Sequence, residues 1–563
     1  MALSGLNQTY KNIRRLRTIL NVLFKNGFGH LIERLKLQHL ISAGQRVFGH
    51  KRYPPLEADR ISMPIRVRMV FEELGPTFIK LGQLLSIRTD LIPEEFAAEF
   101  RKLQDRVPPV PFPEIRAQIE SELKAPLESF FSYIDPIPYG AASIAQVHEA
   151  TLLDGRQVVV KVQRPKIEEI IDTDINILFH LAALLDRYVP ESKVYSPSDI
   201  VDEFSKSIKR ELDFTIEAGN TQRFYDNFAK DRHVVIPKVF WELTTKKVLV
   251  LERLRGLRID QIEAMKERGW DTAKIALLGC KIFLRQILEH GFFHADPHPG
   301  NLLVMAEDVL AMIDFGIVGR LDRELKESCS VIFFSLLNKD YDRLVQEYIK
   351  IGFTSPETNI RHFRQDFIEF LETYLDRPLK LLNIGEIITH TVEISLRHRI
   401  RTPKDLILLG KTLLFIESIG TKLDPNISLL AISRPYARRL LSRRFHPHRL
   451  LSEARANLLD LSDLIRPLPR QLRTLIQKLI DGQLEIEFVH LGLENLINEI
   501  DRSSNRIAFG LIISSLIIGS SIVMHTQIGP AFLGLPLIGI IGYMSAGIMG
   551  LWLVISILRS GKL

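Results

Sequence analysis

The sequence predicts an α+β protein with two lobes at its centre, a helical extension before them and an apolar helical hairpin at its C-terminus. Three observations carry this. A chain of 563 residues is longer than one hydrophobic core organises. A β-branched run around residue 160 and a strand-loop-strand pattern around residue 305 stand among helical periodicities. Two uninterrupted charge-free runs, 507–524 and 537–558, lie near the C-terminus. Hydrophobic residues make up 46% and charged residues 25%, the balance of a globular chain rather than a disordered one. Two cysteines, Cys280 and Cys329, show no metal-ligand spacing, which argues against a zinc site or a disulfide framework.

Residues 1–60 hold 11 Lys and Arg against 3 Asp and Glu, a local excess that accounts for the chain's net charge of +7. A basic segment suits a nucleic acid or an anionic lipid surface, and the apolar C-terminus favours lipid over nucleic acid. Leu6, Tyr10, Ile13, Leu20 and Phe24 recur near helical spacing, so this segment is expected to be an interfacial amphipathic helix in preference to an ordinary surface helix. No signal-peptide core follows its basic residues. Residues 61–135 form the helical extension, with breaks at Gly75-Pro76 and the prolines of 108–113. Residues 136–255 make the first lobe. There a turn at Asp154-Gly155 precedes the strand Val158, Val159, Val160, Lys161, Val162, and short strands are expected at 234–240 and 248–252. A helix starts at Ser196-Pro197, with Ser196 as N-cap and Ile200, Phe204, Ile208 and Leu212 along one side. Residues 256–430 form the second, mainly helical lobe, interrupted by strands at 301–304 and 309–313.

Residues 431–505 read as a helical, basic linker, and 506–563 as two transmembrane helices. Arg502 and Arg506 precede the pair and Arg559 and Lys562 follow it, while 525–536 carry no Lys or Arg. The positive-inside rule puts both ends, and the lobes with them, in the cytoplasm. Gly539, Gly542, Ser545, Ala546, Gly547 and Gly550 provide small surfaces for close helix packing.

The chemistry lies between these landmarks. His294-Ala295-Asp296-Pro297-His298-Pro299-Gly300-Asn301 fits the kinase catalytic-loop pattern H-x-D-x-x-x-x-N, and Asp314-Phe315-Gly316 follows an apolar strand. Phosphoryl transfer needs a carboxylate, Asp296, to orient the attacking oxygen, and hard oxygen ligands, Asn301 and Asp314, to hold Mg²⁺ against ATP. Lys161, flanked by valines, must find an anion or reach water, and the phosphates of ATP are such a partner. Its helix partner is Glu211, Asp213 or Glu217. Asp213 and Glu217 share a helix face while Glu211 points elsewhere, so two acidic directions imply two cations. No G-x-G-x-x-G precedes Lys161. Tyr139-Gly140-Ala141-Ala142-Ser143-Ile144-Ala145-Gln146-Val147 stands in its place as the phosphate-covering loop. His294, Asp296 and His298 alternate like a metal triad, but Pro297 and Pro299 argue for a loop.

Together these residues resemble the UbiB (AarF-type) family of atypical kinases over about residues 60–430, and the C-terminal hairpin agrees. The family's K-x-G-Q motif reads Lys80-Leu81-Gly82-Gln83, its Ala-rich loop Ala141-Ala142-Ser143, and its E-x-D motif Glu211-Leu212-Asp213, with Glu217 as the helix glutamate. The resemblance implies a Lys161–Glu217 ion pair and Lys80 against the E-x-D acids, which with Gln83 form a regulatory group. It also implies an extension covering the usual peptide groove. The activity it implies is ATP hydrolysis, or phosphorylation of a small molecule or lipid, in support of ubiquinone or related prenyl-quinone biosynthesis. Quinone precursors and quinone-biosynthesis proteins are then candidate partners. The competing readings are a soluble small-molecule phosphotransferase, like aminoglycoside and choline kinases, and a membrane scaffold that binds nucleotide as a switch.

Overall fold

The computed structural model describes residues 2–37, 61–88, 91–103, 107–189, 196–352, 358–375, 384–400, 402–444, 493–526, 530–532 and 535–559, with a few isolated positions in 472–481. Most of the expected linker 431–505 lies outside the described residues. The chain divides into two units, residues 1–450 and 451–563.

In the first unit, α1 (Ala2–Lys25) and α2 (Gly29–Arg34) precede three helices of the extension, α3 (Met63–Leu74), α4 (Pro76–Ile87) and α5 (Glu94–Phe100). The break between α3 and α4 sits at Gly75, whose φ of 94° favours glycine. Ile19 and Val22 of α1 are buried in the core shared with α3, α4 and α7 (Ile167–Tyr188). Arg15 also grips the fully buried Asp174 of α7, its Nε donating to Oδ1 at 2.7 Å and its Nη2 to Oδ2 at 2.9 Å. Protein thus covers Ile19, Leu20 and Val22 of α1, while Ile13 on the same helix stays exposed.

The first lobe is a five-stranded antiparallel sheet in the order β1-β3-β4-β6, with β2 on β3. Its strands are β1 (Phe131–Ile134), β2 (Gly140–Ala141), β3 (Ala145–Leu152), β4 (Gln157–Gln163) and, after the short β5 (Val234–Val235), β6 (Val248–Glu252). The sheet thus begins at Phe131, inside the segment expected to be purely helical extension. Helix α6 (Phe112–Leu123) covers one face, its Ile115 and Ile119 clustering with Val158, Val160, Val162 and Val250. The other face meets Ile208 of α8 (Pro197–Glu211) and Phe214 of α9 (Phe214–Phe228) through Leu249 and Leu251. Helix α7, whose Ile167, Ile171, Ile175 and Leu178 repeat at helical spacing and are buried, is an element the sequence reading passed over. Ser196 occupies the N-cap position of α8 without a side-chain capping bond.

The second lobe opens with β7 (Leu257–Arg258), α10 (Ile262–Glu267) and α11 (Thr272–Leu284). Then come β8 (Phe292–His294), β9 (Leu302–Ala306), β10 (Val309–Met312) and β11 (Val318–Arg320). A four-stranded sheet runs β5-β10-β9-β7, and β8 pairs with β11. Helices α12 (Arg323–Leu337), α13 (Tyr341–Ile351), α14 (Ile360–Leu375), α15 (Ile384–Arg397), α16 (Lys404–Leu423) and α17 (Leu429–Arg444) complete it. One apolar cluster, with Phe283, Phe292, Phe293, Phe315, Phe363 and Phe367, holds this lobe together. Cys280 and Cys329 are buried free thiols, and burial pushes each up to about 12. Arg88, just past α4, and Lys404 of α16 both pair with Glu203 of α8, so the extension and the second lobe share an anchor on the first.

In the second unit, α18 (Leu493–Thr526) and α19 (Leu537–Arg559) pack against each other. Their apolar stretches, Ser503–Thr526 and Leu537–Ile557, are long and apolar enough to cross a membrane. Gly539 and Gly542 let them touch: a Cβ on Gly542 would lie 2.0 Å from Ser520 Oγ. Gly547 and Gly550 have nothing within 4 Å, so only part of the small-residue stripe faces the partner helix.

Candidate active site

Strand alternation places Lys161. Val158, Val160 and Val162 point into the α6 side of the sheet, so Lys161 points to the other, toward α9. There its Nζ donates to Glu217 Oε1 at 2.9 Å and Oε2 at 2.8 Å, and to Asp314 Oδ2 at 3.4 Å. Burial opposes the charge on Lys161, but the carboxylates of Asp314 and Glu217 outweigh it and hold the ammonium above the usual lysine range. Burial pushes Glu217 up to about 7 although Lys161 pulls it down. Burial also works against ionised Asp314, yet Lys161 and the Gly316 N–H bring it to about 2.

The acids expected on one helix lie on two. Helix α8 stops at Glu211, and Asp213 caps α9, accepting from Thr215 N at 3.0 Å. This break separates the two acidic directions. Glu211 pairs with Lys80 of α4, and Glu217, in the first turn of α9, pairs with Lys161. Gly82, two residues further along α4, is fixed by close packing: a Cβ there would lie 2.2 Å from Leu103 Cδ1. Lys80 and Gln83 line a cavity that also reaches Asp296.

The catalytic-loop residues hang between β8 and β9. His294 is buried, its ring 5.4 Å from that of Phe315, and its Nδ1 accepts from Asp296 N at 3.1 Å. Burial keeps its imidazole below the usual histidine range, against the pull of Asp296 and Asp314. His298 Nδ1 accepts from Gly300 N at 3.1 Å, so both histidines of the apparent triad serve the loop backbone. Asn301 Nδ2 donates to Asp296 O at 3.1 Å, which leaves the amide oxygen as its acceptor. The β9–β10 hairpin pairs Leu302 with Met312, and Ile313 N reaches Asn301 O at 3.2 Å. Asn301 and Asp314 therefore emerge side by side. An amide oxygen and a carboxylate are the hard donors that Mg²⁺ takes, so the residues present fit that ion. Asn220 Nδ2 holds Phe315 O at 3.1 Å, fixing the turn after Asp314.

Lys411 was missed in the sequence. From α16 its Nζ donates to Asp296 Oδ1 at 2.9 Å, 115 residues along the chain. A single charge in the run Leu406, Ile407, Leu408, Leu409, Gly410, Lys411, Thr412, Leu413, Leu414 carried the same signal as Lys161 among its valines.

The Ala-rich segment is the tip of a hairpin. Gly140 pairs with Val147 and Ala141 with Gln146, Tyr139 N bonds Val147 O at 2.8 Å, and Ala142 N closes the turn on Ala145 O at 2.8 Å. Arg164 fastens it through Ala142 O at 2.9 Å and Ile144 O, while Ser143 is buried. Gln146, expected to face the nucleotide, instead bonds Val110 N through Oε1 at 2.9 Å and lies against His148. Strand alternation turns it to the α6 side of the sheet.

The ABC1 atypical kinase-like domain matches residues 102–348, the UbiB helical domain residues 368–428 and the ABC1/UbiB kinase-like C-terminal domain residues 491–559. A probable protein kinase UbiB from Marinobacter nauticus is 36% identical over 71% of this chain and 74% of its own. The chain belongs to the ABC1/UbiB family of atypical kinases. Another relative, an uncharacterized protein in the hydrogenase 1 5' region of Clostridium pasteurianum, is 34% identical over 98% of this chain and 100% of its own. A solved Mycobacterium tuberculosis protein in complex with erythromycin is 23% identical, covers 69% of this chain and 97% of its own, and superposes with a TM-score of 0.47. Lys161, Glu217, Asp296, Asn301 and Asp314 all fall in the ABC1 kinase-like match, and Lys411 in the UbiB helical match.

Proposed function

We propose that this ABC1/UbiB chain is a Mg²⁺-dependent ATPase or phosphotransferase acting on a small molecule or lipid, anchored by its C-terminal hairpin with the lobes on the cytoplasmic side. The observation that carries the reading is convergence. Lys161 and Asp314 lie 153 residues apart in sequence and 3.4 Å apart in space, with Glu217 on the same ammonium and Asn301 beside Asp314. Lys161 receives the α- and β-phosphates, and Glu217 fixes its direction. Asn301 and Asp314 would hold Mg²⁺, which neutralises phosphate charge when bound. Asp296 orients the attacking oxygen and takes its proton, and Lys411 sets the direction of the Asp296 carboxylate. The Ala-rich hairpin tip covers the phosphates, and the Lys80–Glu211 pair holds the extension over the site. The name UbiB borne by its relatives supports a place in ubiquinone or related prenyl-quinone synthesis.

The test is ATP turnover by purified full-length protein in lipid nanodiscs, with and without anionic lipid and phenolic quinone precursors. Asp296→Asn is expected to lower turnover by at least tenfold while nucleotide affinity stays within a few-fold of the parent. Equal turnover by parent and variant would overturn the assignment.

A further inference from the structure

Beyond Asp296 a partly open cleft enters the second lobe. A cavity of about 2780 Å³ extends from beneath the extension, past Asp296, into the helices α12 to α16. Its polar end carries Lys80, Gln83, Asp296 and Lys411. Deeper, its walls include Leu336, Phe367, Leu371, Ile388 and Leu413, from α12, α14, α15 and α16. Lys161, Glu217, Asn301 and Asp314 are not among the residues lining it, so it meets the phosphate-binding groups only around Asp296.

Protein interiors are packed with few voids larger than a water molecule, and a small-molecule site takes roughly 300–1,000 Å³. This space is several times larger than a drug-sized ligand needs. A void lined by Leu, Ile and Phe offers water no partners and favours an apolar occupant. An extended peptide would leave backbone N–H and C=O groups unpaired there. A flexible hydrocarbon chain meets neither obstacle. Other polar groups line the cavity, Arg88, Glu203 and Lys404 among them and paired with one another, but Asp296 is the carboxylate of the catalytic loop, and held by Lys411 at 2.9 Å it accepts a hydroxyl's hydrogen.

We infer that the cavity holds the apolar chain of a single-tailed lipid alcohol or phenol and presents its hydroxyl to Asp296 as the phosphoryl acceptor. This rests on the phosphotransferase reading above. The hydroxyl oxygen forms a bond to the γ-phosphorus of ATP and the bond from that phosphorus to the β,γ-bridging oxygen breaks. ADP leaves with the electron pair, and the hydroxyl proton passes to Asp296. Lys411 stands where head and tail meet.

The experiment uses full-length protein in nanodiscs, with empty nanodiscs as the partition control. Two series of probes, 4-alkylphenols and 1-alkanols from four to ten carbons, are titrated in the presence of MgATP. Affinity above the control is expected to rise two- to fourfold per methylene, following the burial of each CH₂. Leu336→Trp and Leu413→Trp, which fill the cavity, are expected to weaken the longer probes at least tenfold while MgATP affinity stays within twofold. The series that binds identifies the head group, and label from γ-³²P-ATP is expected on its hydroxyl. Affinity that does not grow with chain length in the unmutated protein overturns the cavity assignment, whatever the variants do. Chain-length-dependent binding without label on the probe overturns the acceptor assignment. MgATP binding weakened by Lys161→Met, measured beside these, reports separately on the nucleotide site.

Discussion

Replacing Lys161 by Met separates the fold's need for the ammonium from the nucleotide's. Lys161 makes two hydrogen bonds to a glutamate whose side chain is only 9% exposed. Stranding a buried charge costs about 3–5 kcal/mol. That cost does not fall here, because burial has already brought Glu217 to about 7 with Lys161 present. Without the ammonium it rises further, and at neutral pH the carboxyl takes up a proton. At Glu217 only the hydrogen bonds and their packing are then lost, about 1–2 kcal/mol. The sign of the pH effect follows. Glu217 binds its proton more tightly in the folded chain than in the unfolded one, where carboxyls of its type titrate at 4.5. Through this group the folded state loses stability as pH rises from 4.5 to about 7, and in the variant the loss continues above that window. For ATP the removal is more serious, since a charge-assisted bond to phosphate contributes about 1.5–3 kcal/mol, or roughly 10- to 150-fold in affinity. Calorimetric melting from pH 6 to 8 and MgATP titration of the same preparation read both effects. ATP affinity within twofold of the parent would refute the phosphate role of Lys161.

Two further perturbations reach the rest of the chain. Arg15→Ala removes the guanidinium that both oxygens of the fully buried Asp174 carboxylate accept from, and amide exchange in α1 is expected to speed up about a hundredfold while that of α11 is unchanged. Equal protection of α1 in parent and variant would mean that the helix is held by something else. Gly542→Val drives a side chain into Ser520 and is expected to separate α18 from α19, seen as lower energy transfer between labels on the two helices, whereas Gly547→Val, with open space around it, leaves the signal unchanged.

What the sequence disclosed and what it hid have physical reasons. The strand carrying Lys161, the β9–β10 hairpin and the two C-terminal helices each announce themselves locally, through valines, turn residues or charge-free length. The pairing of Lys161 with Glu217 was readable through the family resemblance, but the helix break between Glu211 and Glu217 was not. It depends on Asp213 capping α9, and an Asp in a helical run reads equally well as a surface charge. Gln146 lies on a strand paired with Val162, so period-2 alternation turns it to the α6 face and away from the nucleotide. Lys411 and the cavity come from tertiary assembly: α16 supplies a cation to a loop 115 residues earlier, and no local pattern names that partner. The helical spacing of α1 was visible, but the docking of Ile19 and Val22 against α7, beside the buried Asp174, was not.

The convergence of distant segments on one ATP is tested most directly by a double-mutant cycle. MgATP affinity is measured for the parent, Lys161→Met, Asp314→Asn and the double variant. Groups 3.4 Å apart that act on one triphosphate are expected to couple by about 0.5–3 kcal/mol, so the double variant loses clearly less or more than the two single losses together. Strictly additive losses, or none, would contradict the account.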